Sequence, residues 1–274
     1  RGCDHRADQR RAAAARPRLL VELAEALLAN GELESALATY LEVRDDAPAG
    51  ARGDALYGAC HVLHALGRYE ESLATAERVA ATEPAHRCAA EARFAIAENL
   101  FALARYDAAE AAYQRVGELP ASAVAIQHKL AFCRYLTGDK QTAAQRFLAL
   151  AERRPAEPAA STQSAPNAES EADAALREEA LSLAALAFLD AGDGERALEC
   201  ADRYRVRHAE GRFVDRTERV AARVLQQRGD LAGASQRLAR AAAVAEARGD
   251  RSHADDRLEL ALLAYREGDF AAAS

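Results

Sequence analysis

Apolar residues recur along this chain at the spacing of one face of an α-helix. Leu20, Leu23 and Leu27 show the pattern first, and it returns in residues 36–43, after a turn at Gly31. A spacing of three and four residues places side chains on one helical face and leaves the opposite face polar. The pattern therefore predicts two amphipathic helices joined by a tight turn.

The same helix-turn-helix pattern occurs seven times. Its turns are centred on Gly31, Gly67, Ala104, Gly138, Gly192, Gly229 and Gly268, at spacings of 36, 37, 34, 54, 37 and 39 residues. A single unit of this size cannot bury its apolar face alone, so consecutive units must stack on one another. The sequence predicts an all-α fold, an α-solenoid of tandem helical hairpins.

Small residues occupy equivalent positions in every unit, before and after each turn. They are Ala24, Cys60, Ala97, Ala131, Ala185, Ala222 and Ala261 in the first helices, and Ala36, Ser72, Ala109, Ala143, Ala197, Ala234 and Ala273 in the second helices. A bulky residue there would hold the two helices apart. This register resembles the tetratricopeptide repeat (TPR), a 34-residue hairpin. The resemblance implies a right-handed solenoid and a bacterial TPR-array protein.

The 54-residue spacing predicts an insert within the array. Residues 154–172 are rich in Pro, Ser and Ala, a composition that cannot bury a core. We predict repeats 1–4 in residues 17–153, a flexible insert in 154–172, and repeats 5–7 in 173–274, the last of them truncated. Asp173 is a candidate N-cap for the helix after the insert. Residues 1–16 form a basic leader, either a frayed helix or a disordered segment.

Composition narrows the classes of partner. The formal net charge of −7 disfavours a general nucleic-acid binder, which needs an excess of Lys and Arg. No apolar run approaches the roughly 18 residues that cross a bilayer, so no membrane insertion is expected. The five cysteines are scattered within helical patterns, which favours buried thiols in a reducing compartment over a disulfide framework. A cytoplasmic location is the expectation, and a periplasmic one stays open.

Catalytic chemistry is not indicated by any motif. The sequence has no phosphate-binding loop, no Gly-x-Ser-x-Gly nucleophile motif and no His-Glu-x-x-His. The best metal candidate is Cys60 with His61 and His64, but Cys60 falls on the packing face and both histidines on another, whereas zinc needs converging ligands. We therefore predict a non-catalytic protein without metal or cofactor.

The TPR resemblance implies a concave face lined by first helices. Carried onto this chain, its groove positions are Tyr57, His61, His64, Phe94, Glu98, Phe101, His128, Phe132 and Tyr135. This aromatic and histidine surface predicts binding of a peptide with apolar side chains. The alternative is that some of these rings pack between repeats or against the N-terminal leader. The positions that hold a C-terminal carboxylate in some TPR proteins carry no Lys or Arg here, so that mode of binding is not expected.

A second candidate surface lies on the first helix of unit 6. Arg216, Arg219 and Arg223 fall along one helical face and could accept an acidic or phosphorylated segment. Asp215 and Glu218 are close by, and a solvated charged face is the alternative. The function predicted overall is a protein-interaction scaffold with a protein or peptide partner. The alternative function is the sensory or regulatory arm of a larger bacterial signalling enzyme or transcription regulator.

Overall fold

The computed structural model describes residues 2–82, 87–116, 123–153, 170–250 and 252–267. In these ranges every regular element is an α-helix, and no strand occurs. The helices are α1 (Gly2–Ala29), α2 (Leu33–Leu41), α3 (Ala49–Ala65), α4 (Tyr69–Thr82), α5 (Ala89–Ala102), α6 (Tyr106–Arg115), α7 (Ala123–Leu136), α8 (Lys140–Glu152), α9 (Glu171–Asp190), α10 (Gly194–Arg207), α11 (Val214–Gln227), α12 (Leu231–Ala247) and α13 (His253–Glu267).

The helices form hairpins that stack in two compact units, residues 1–120 and 121–274. In the first unit each helix packs on the next, and the first helices α1, α3 and α5 lie side by side. In the second unit α7, α9 and α11 are arranged in the same way. This stacking of hairpins confirms the predicted α-solenoid.

The insert does not interrupt the stack of the second unit. Helices α8 and α9, which precede and follow it in sequence, pack against each other. Residues 154–169 of the insert lie outside the described residues. The boundary between the two compact units instead falls after the third hairpin, within the segment predicted as repeats 1–4.

The structure gives the start of two helices on which the sequence made predictions. Helix α9 has Ser170 as its N-cap, and the Ser170 hydroxyl accepts a hydrogen bond from the Asp173 backbone N–H at 3.1 Å. The expectation that Asp173 is the cap is therefore wrong by three residues, because its backbone is already helical. At the N-terminus, α1 begins at Gly2, so most of the basic leader is part of the first helix.

The small residues lie where paired helices approach most closely. Twelve of the thirteen in the described part of the chain are at most 1% exposed, and Ala261 is half-buried. Ala273 lies outside the described residues. Two large side chains of the second helices, Tyr113 and Phe147, are buried and contact aromatic rings of the first helix in the same hairpin. Tyr40 lies against Gly58 of α3, where a Cβ atom would come within 2.3 Å of its ring.

Five of the predicted turn glycines adopt positive φ angles, between 74° and 96°. Ala104 occupies the third turn with a φ of 56°, in the left-handed region that alanine rarely adopts. Its N–H donates to the Phe101 carbonyl at 3.0 Å, and the Arg105 N–H donates to the Leu100 carbonyl at 2.9 Å. These bonds form the Schellman motif that ends helices at glycine. Gly268 lies outside the described residues.

Replacing Ala104 with glycine is expected to stabilise the protein. The left-handed conformation costs an L-residue about 1–2 kcal/mol, and the greater freedom of glycine in the unfolded chain offsets only part of that gain. We expect the thermal midpoint to rise by about 2–4 °C, measured by circular dichroism. Gly138→Ala, at a turn with a φ of 96°, is the matched control and should lower the midpoint. A fall in the Ala104→Gly midpoint would contradict the strain inferred here.

Candidate peptide-binding groove

Two neighbouring first helices of the first unit enclose a cavity of about 280 Å³. Tyr57, His61 and His64 follow one another at helical spacing on α3 and line one side. Glu91 and Glu98 lie two turns apart on α5 and line the other, with Phe94 between them. The complete lining is Tyr57, Cys60, His61, His64, Glu91, Phe94, Ala95 and Glu98. Five of the nine predicted groove residues thus meet at one place.

Polar contacts join α3 to the α5 region at both ends of this face. Arg87, which precedes α5, donates to Asp54 Oδ1 from Nη2 at 2.7 Å and from Nε at 3.0 Å. At the other end, His64 Nδ1 donates to Asn99 Oδ1 at 2.8 Å. This direction follows from the network, because the Asn99 amide nitrogen donates to Ser72 Oγ at 2.8 Å. The two helices are therefore held at a fixed separation.

The network extends from the cavity into the hairpin core. Ser72, on α4, is fully buried and donates to the Cys60 carbonyl at 2.8 Å. Asn99 is also fully buried and makes a further bond to the Ala95 carbonyl at 2.8 Å. Buried amides and hydroxyls are costly without partners, and here each has one. The cavity wall is consequently built on a satisfied polar network that spans α3, α4 and α5.

Tyr113 of α6 positions Phe94 and Glu98 in the cavity. The Phe94 ring meets the buried Tyr113 ring edge-on at 6.0 Å between centroids. Tyr113 also donates its hydroxyl hydrogen to Glu98. Burial, with the nearby Cys88 and Glu91, raises the pKa of Tyr57 above its ordinary value, so its phenol stays neutral. The result is an apolar floor with carboxylates at its sides.

Phe101, the remaining predicted groove residue of the first unit, does not line the cavity. Its ring packs edge-on against Tyr106 at 5.5 Å, across the turn that Ala104 forms. Its position in the register is equivalent to that of His64, which does line the cavity. Phe101 therefore belongs to the contact between α5 and α6.

In the second unit the predicted groove residues are engaged in packing. His128 is only 6% exposed, and its ring meets Phe132 and Phe147 edge-on at 5.0 Å and 5.8 Å. Phe132 packs on Phe147 as well, at 5.2 Å. The structure thus corrects the expectation that His128 faces an open groove, because α8 and α9 supply the residues that cover it.

Tyr135 is held by two neighbours within the same unit. Its hydroxyl donates to Asp190 of α9, and the Lys140 ammonium lies 3.4 Å from the centre of its ring. Burial raises the pKa of Tyr135 to about 12, and the bond to Asp190 acts in the same direction. These contacts favour packing between repeats over an open surface at this position.

The three arginines of the sixth repeat do not form an open patch. Arg219 donates to both carboxylate oxygens of Asp256, at 2.7 Å and 3.0 Å, and to Asp215 at 3.0 Å. Arg216 lies over the Phe213 ring at 4.8 Å, and Arg223 is exposed. Because Arg219 joins α11 to α13, the structure corrects the expectation of three guanidiniums available to an acidic segment.

The candidate metal ligands Cys60, His61 and His64 differ in their surroundings. Cys60 is buried with its Sγ 3.4 Å from Ser72 Oγ, whereas His61 is exposed to solvent. In the described part of the chain no three His, Cys, Asp or Glu side chains form a group that could hold an ion. Cys60, Cys88, Cys133 and Cys200 form no disulfide bonds, and burial raises the pKa of Cys200 to about 12.

Solved structures similar to this chain are helical repeat proteins. The C-terminal part of a TPR repeat-containing protein from Cytophaga hutchinsonii superimposes with a TM-score of 0.69, over 92% of this chain and 91% of that one, at 14% identity. This chain has the tetratricopeptide-repeat fold. RapI matches with a TM-score of 0.62 over 94% of this chain and 73% of its own, at 13% identity.

YrrB, described as a TPR protein with an unusual peptide-binding site, is also similar. It matches with a TM-score of 0.51 over 70% of this TPR chain and 86% of its own, at 21% identity. No protein-family model matches the sequence. No curated protein matches it either. The similarity to TPR proteins is therefore one of fold, at identities too low to carry over a ligand.

Two buried polar residues next to the cavity were not predicted. Asn99 and Ser72 fix the separation of α3 and α5, yet neither is a groove position in the register. Ser72 had been identified only as a small packing residue. The available signal was an asparagine within an apolar helical pattern, since such a residue is usually exposed unless it has partners.

In the described ranges no helix of this TPR chain is both long and apolar enough to cross a bilayer.

Proposed function

We propose that this chain is a non-catalytic TPR scaffold that binds a peptide segment of a partner protein at the cavity between α3 and α5. The observation that carries the proposal is the cavity itself, whose lining includes five predicted groove residues. The fold supports a protein-interaction scaffold in general. The peptide-binding site stated for YrrB gives further support, as a property of a protein of the same fold.

The cavity suits one anchoring side chain of a longer segment. Its volume of about 280 Å³ lies just below the range of about 300–1,000 Å³ that is typical of ligand pockets. Tyr57 and Phe94 are half-buried and offer flat apolar surface that a bound side chain can cover. Because polar bonds already fix α3 relative to α5, little ordering is left to oppose binding. The remainder of the segment would lie along the neighbouring helix faces.

A random peptide library tests this function directly. The full chain is panned against displayed 12-residue peptides, and enriched peptides are synthesised and titrated by fluorescence anisotropy. We expect dissociation constants in the micromolar range, and Tyr57→Ala should weaken binding at least about tenfold because buried aromatic anchors dominate such interfaces. Its helicity and thermal midpoint should stay close to those of the wild type.

The matched control removes an apolar side chain elsewhere. Val206 of α10 is 78% exposed and does not line the cavity, so Val206→Ala should bind like the wild type. Enriched peptides that bind Tyr57→Ala and wild type equally would show that this cavity is not the site. Failure to enrich any peptide would contradict peptide binding itself.

A further inference from the structure

We propose that the cavity between α3 and α5 selects a positively charged anchor, an arginine side chain of the bound peptide. This inference rests on the proposed peptide-binding function and specifies its ligand. It follows from three features of the cavity: the sign of its charged groups, the aromatic surface beside them, and the contacts that hold both in place.

The charged groups that line the cavity are carboxylates. Glu91 and Glu98 lie on the same face of α5, and the lining contains no Lys or Arg. Arg87, which lies at the end of this face, donates a hydrogen bond from Nη2 to Asp54 Oδ1 at 2.7 Å. A partly enclosed site has a lower effective dielectric than water, so two carboxylates there attract a cation more strongly than on an open surface. The cavity is therefore complementary to a positive group.

The aromatic rings favour arginine among positive side chains. Phe94 stands between the two carboxylates along α5, and Tyr57 faces it from α3. A guanidinium stacks on aromatic faces and pairs with a carboxylate through two parallel bonds, whereas an ammonium is a compact, strongly hydrated charge. Seven residues of helix separate Glu91 from Glu98 by about 10 Å, which leaves room for the aliphatic stem beside Phe94.

Glu98 and Phe94 are held in place before any ligand binds. Glu98 accepts the Tyr113 hydroxyl hydrogen, which orients its carboxylate, while Glu91 is exposed at the rim. Phe94 is fixed by the edge-on contact with Tyr113. Tyr57 remains a neutral phenol because its pKa is raised, so it adds no further charge to repel or attract the ligand.

Two synthetic peptide libraries distinguish charge from shape. They are identical 12-residue libraries except for a fixed central residue, arginine in one and citrulline, its neutral isostere, in the other. Retention on the immobilised full chain is measured at low and at high salt. We expect the arginine library to be retained about tenfold more strongly at 50 mM salt, with the preference reduced at 0.5 M because salt screens partly exposed charges.

Four variants locate the effect. Glu91→Gln and Glu98→Gln should each reduce the arginine preference severalfold while retaining the shape of the side chain. Glu77→Gln changes an exposed carboxylate of α4 that does not line the cavity, and should leave the preference unchanged. Tyr57→Ala should lower retention of both libraries. An equal loss of preference in Glu77→Gln would attribute it to net charge and overturn the proposal.

The remaining outcomes separate this inference from the function on which it rests. Equal retention of the two libraries, lost in Tyr57→Ala, would leave peptide binding intact and refute the arginine anchor. Retention of neither library above the Tyr57→Ala level would refute both. Analytical ultracentrifugation tests whether a second copy of the chain fills the cavity. If the wild type self-associates and Tyr57→Ala abolishes this self-association, the proposal is also overturned.

Discussion

Replacing Glu218 with alanine is expected to lower the free energy of unfolding by about 3–5 kcal/mol. Glu218 is a buried carboxylate on α11, with its side chain 2% exposed. Arg237 donates to Glu218 Oε2 at 3.0 Å, and Arg240 Nε lies 3.4 Å from Oε1. Arg237 also pairs with Asp202 of α10. Alanine would leave a largely buried guanidinium with fewer partners and would leave a cavity as well.

Two further variants separate charge from packing at this site. Glu218→Gln keeps the volume of the side chain and removes its charge, so it should cause much of the loss in unfolding free energy that is expected for Glu218→Ala. The double variant Glu218→Leu with Arg237→Leu should lose far less than Glu218→Ala, because apolar residues of similar volume can replace a buried ion pair at little cost. Urea unfolding followed by circular dichroism gives these energies.

The control for Glu218 is an exposed ion pair. Glu195, with a side chain 87% exposed, pairs with Arg228 at 2.7 Å. Glu195→Ala should change stability little, because solvent screens such pairs and the side chains lose entropy in forming them. If Glu218→Ala cost no more than Glu195→Ala, the ion pairs between α11 and α12 would not hold those helices together.

The repeat register could be read from sequence because local rules set it. Ala24 and Ala36 are fully buried where the small-residue pattern places them, and Gly31 takes the left-handed conformation expected of a helix-ending glycine. Helical periodicity, small residues and turn glycines all act within one unit of about 34 residues. Even Ala104 keeps the turn geometry, since its neighbours impose the same hydrogen bonds.

The sequence could not separate open groove positions from packed ones. Tyr57, Phe94 and His128 occupy equivalent positions in successive repeats, yet Tyr57 and Phe94 line a cavity and His128 is buried. The difference arises from what the neighbouring hairpins place opposite each residue. Likewise, Arg219 is paired with Asp256, which is 37 residues away in the next hairpin. The pattern of residues along one helix does not predict such a pair.

Acidification from pH 7 to pH 4.5 is expected to destabilise the second unit by about 2–3 kcal/mol through His128 alone. Burial lowers the pKa of His128 to about 4, with a smaller contribution from Lys129, whereas the unfolded chain has the ordinary value near 6.5. Below pH 6.5 the unfolded state therefore binds the proton and the folded state does not. The stability present above pH 6.5 is lost as the pH falls towards 4.

The surroundings of His128 explain why its neutral form is favoured. Its ring lies against Phe132 and Phe147, and Nε2 has no hydrogen-bond partner among the described residues. Glu179 Oε2 lies 3.6 Å from Nε2, too far for a hydrogen bond, and burial outweighs the attraction of this carboxylate for an imidazolium. An apolar side chain of similar size would suit the site at every pH.

His128→Leu should therefore remove this part of the pH dependence. Urea unfolding measured at intervals between pH 7 and pH 4.5 should give a smaller loss of stability for the variant, by about 2–3 kcal/mol over that range. His61→Gln is the control, because His61 is exposed and its replacement should leave the wild-type slope. A variant that kept the full wild-type acid slope would show that His128 takes up its proton at the same pH in the folded and unfolded states, and that the ring is not held in the apolar contact described above.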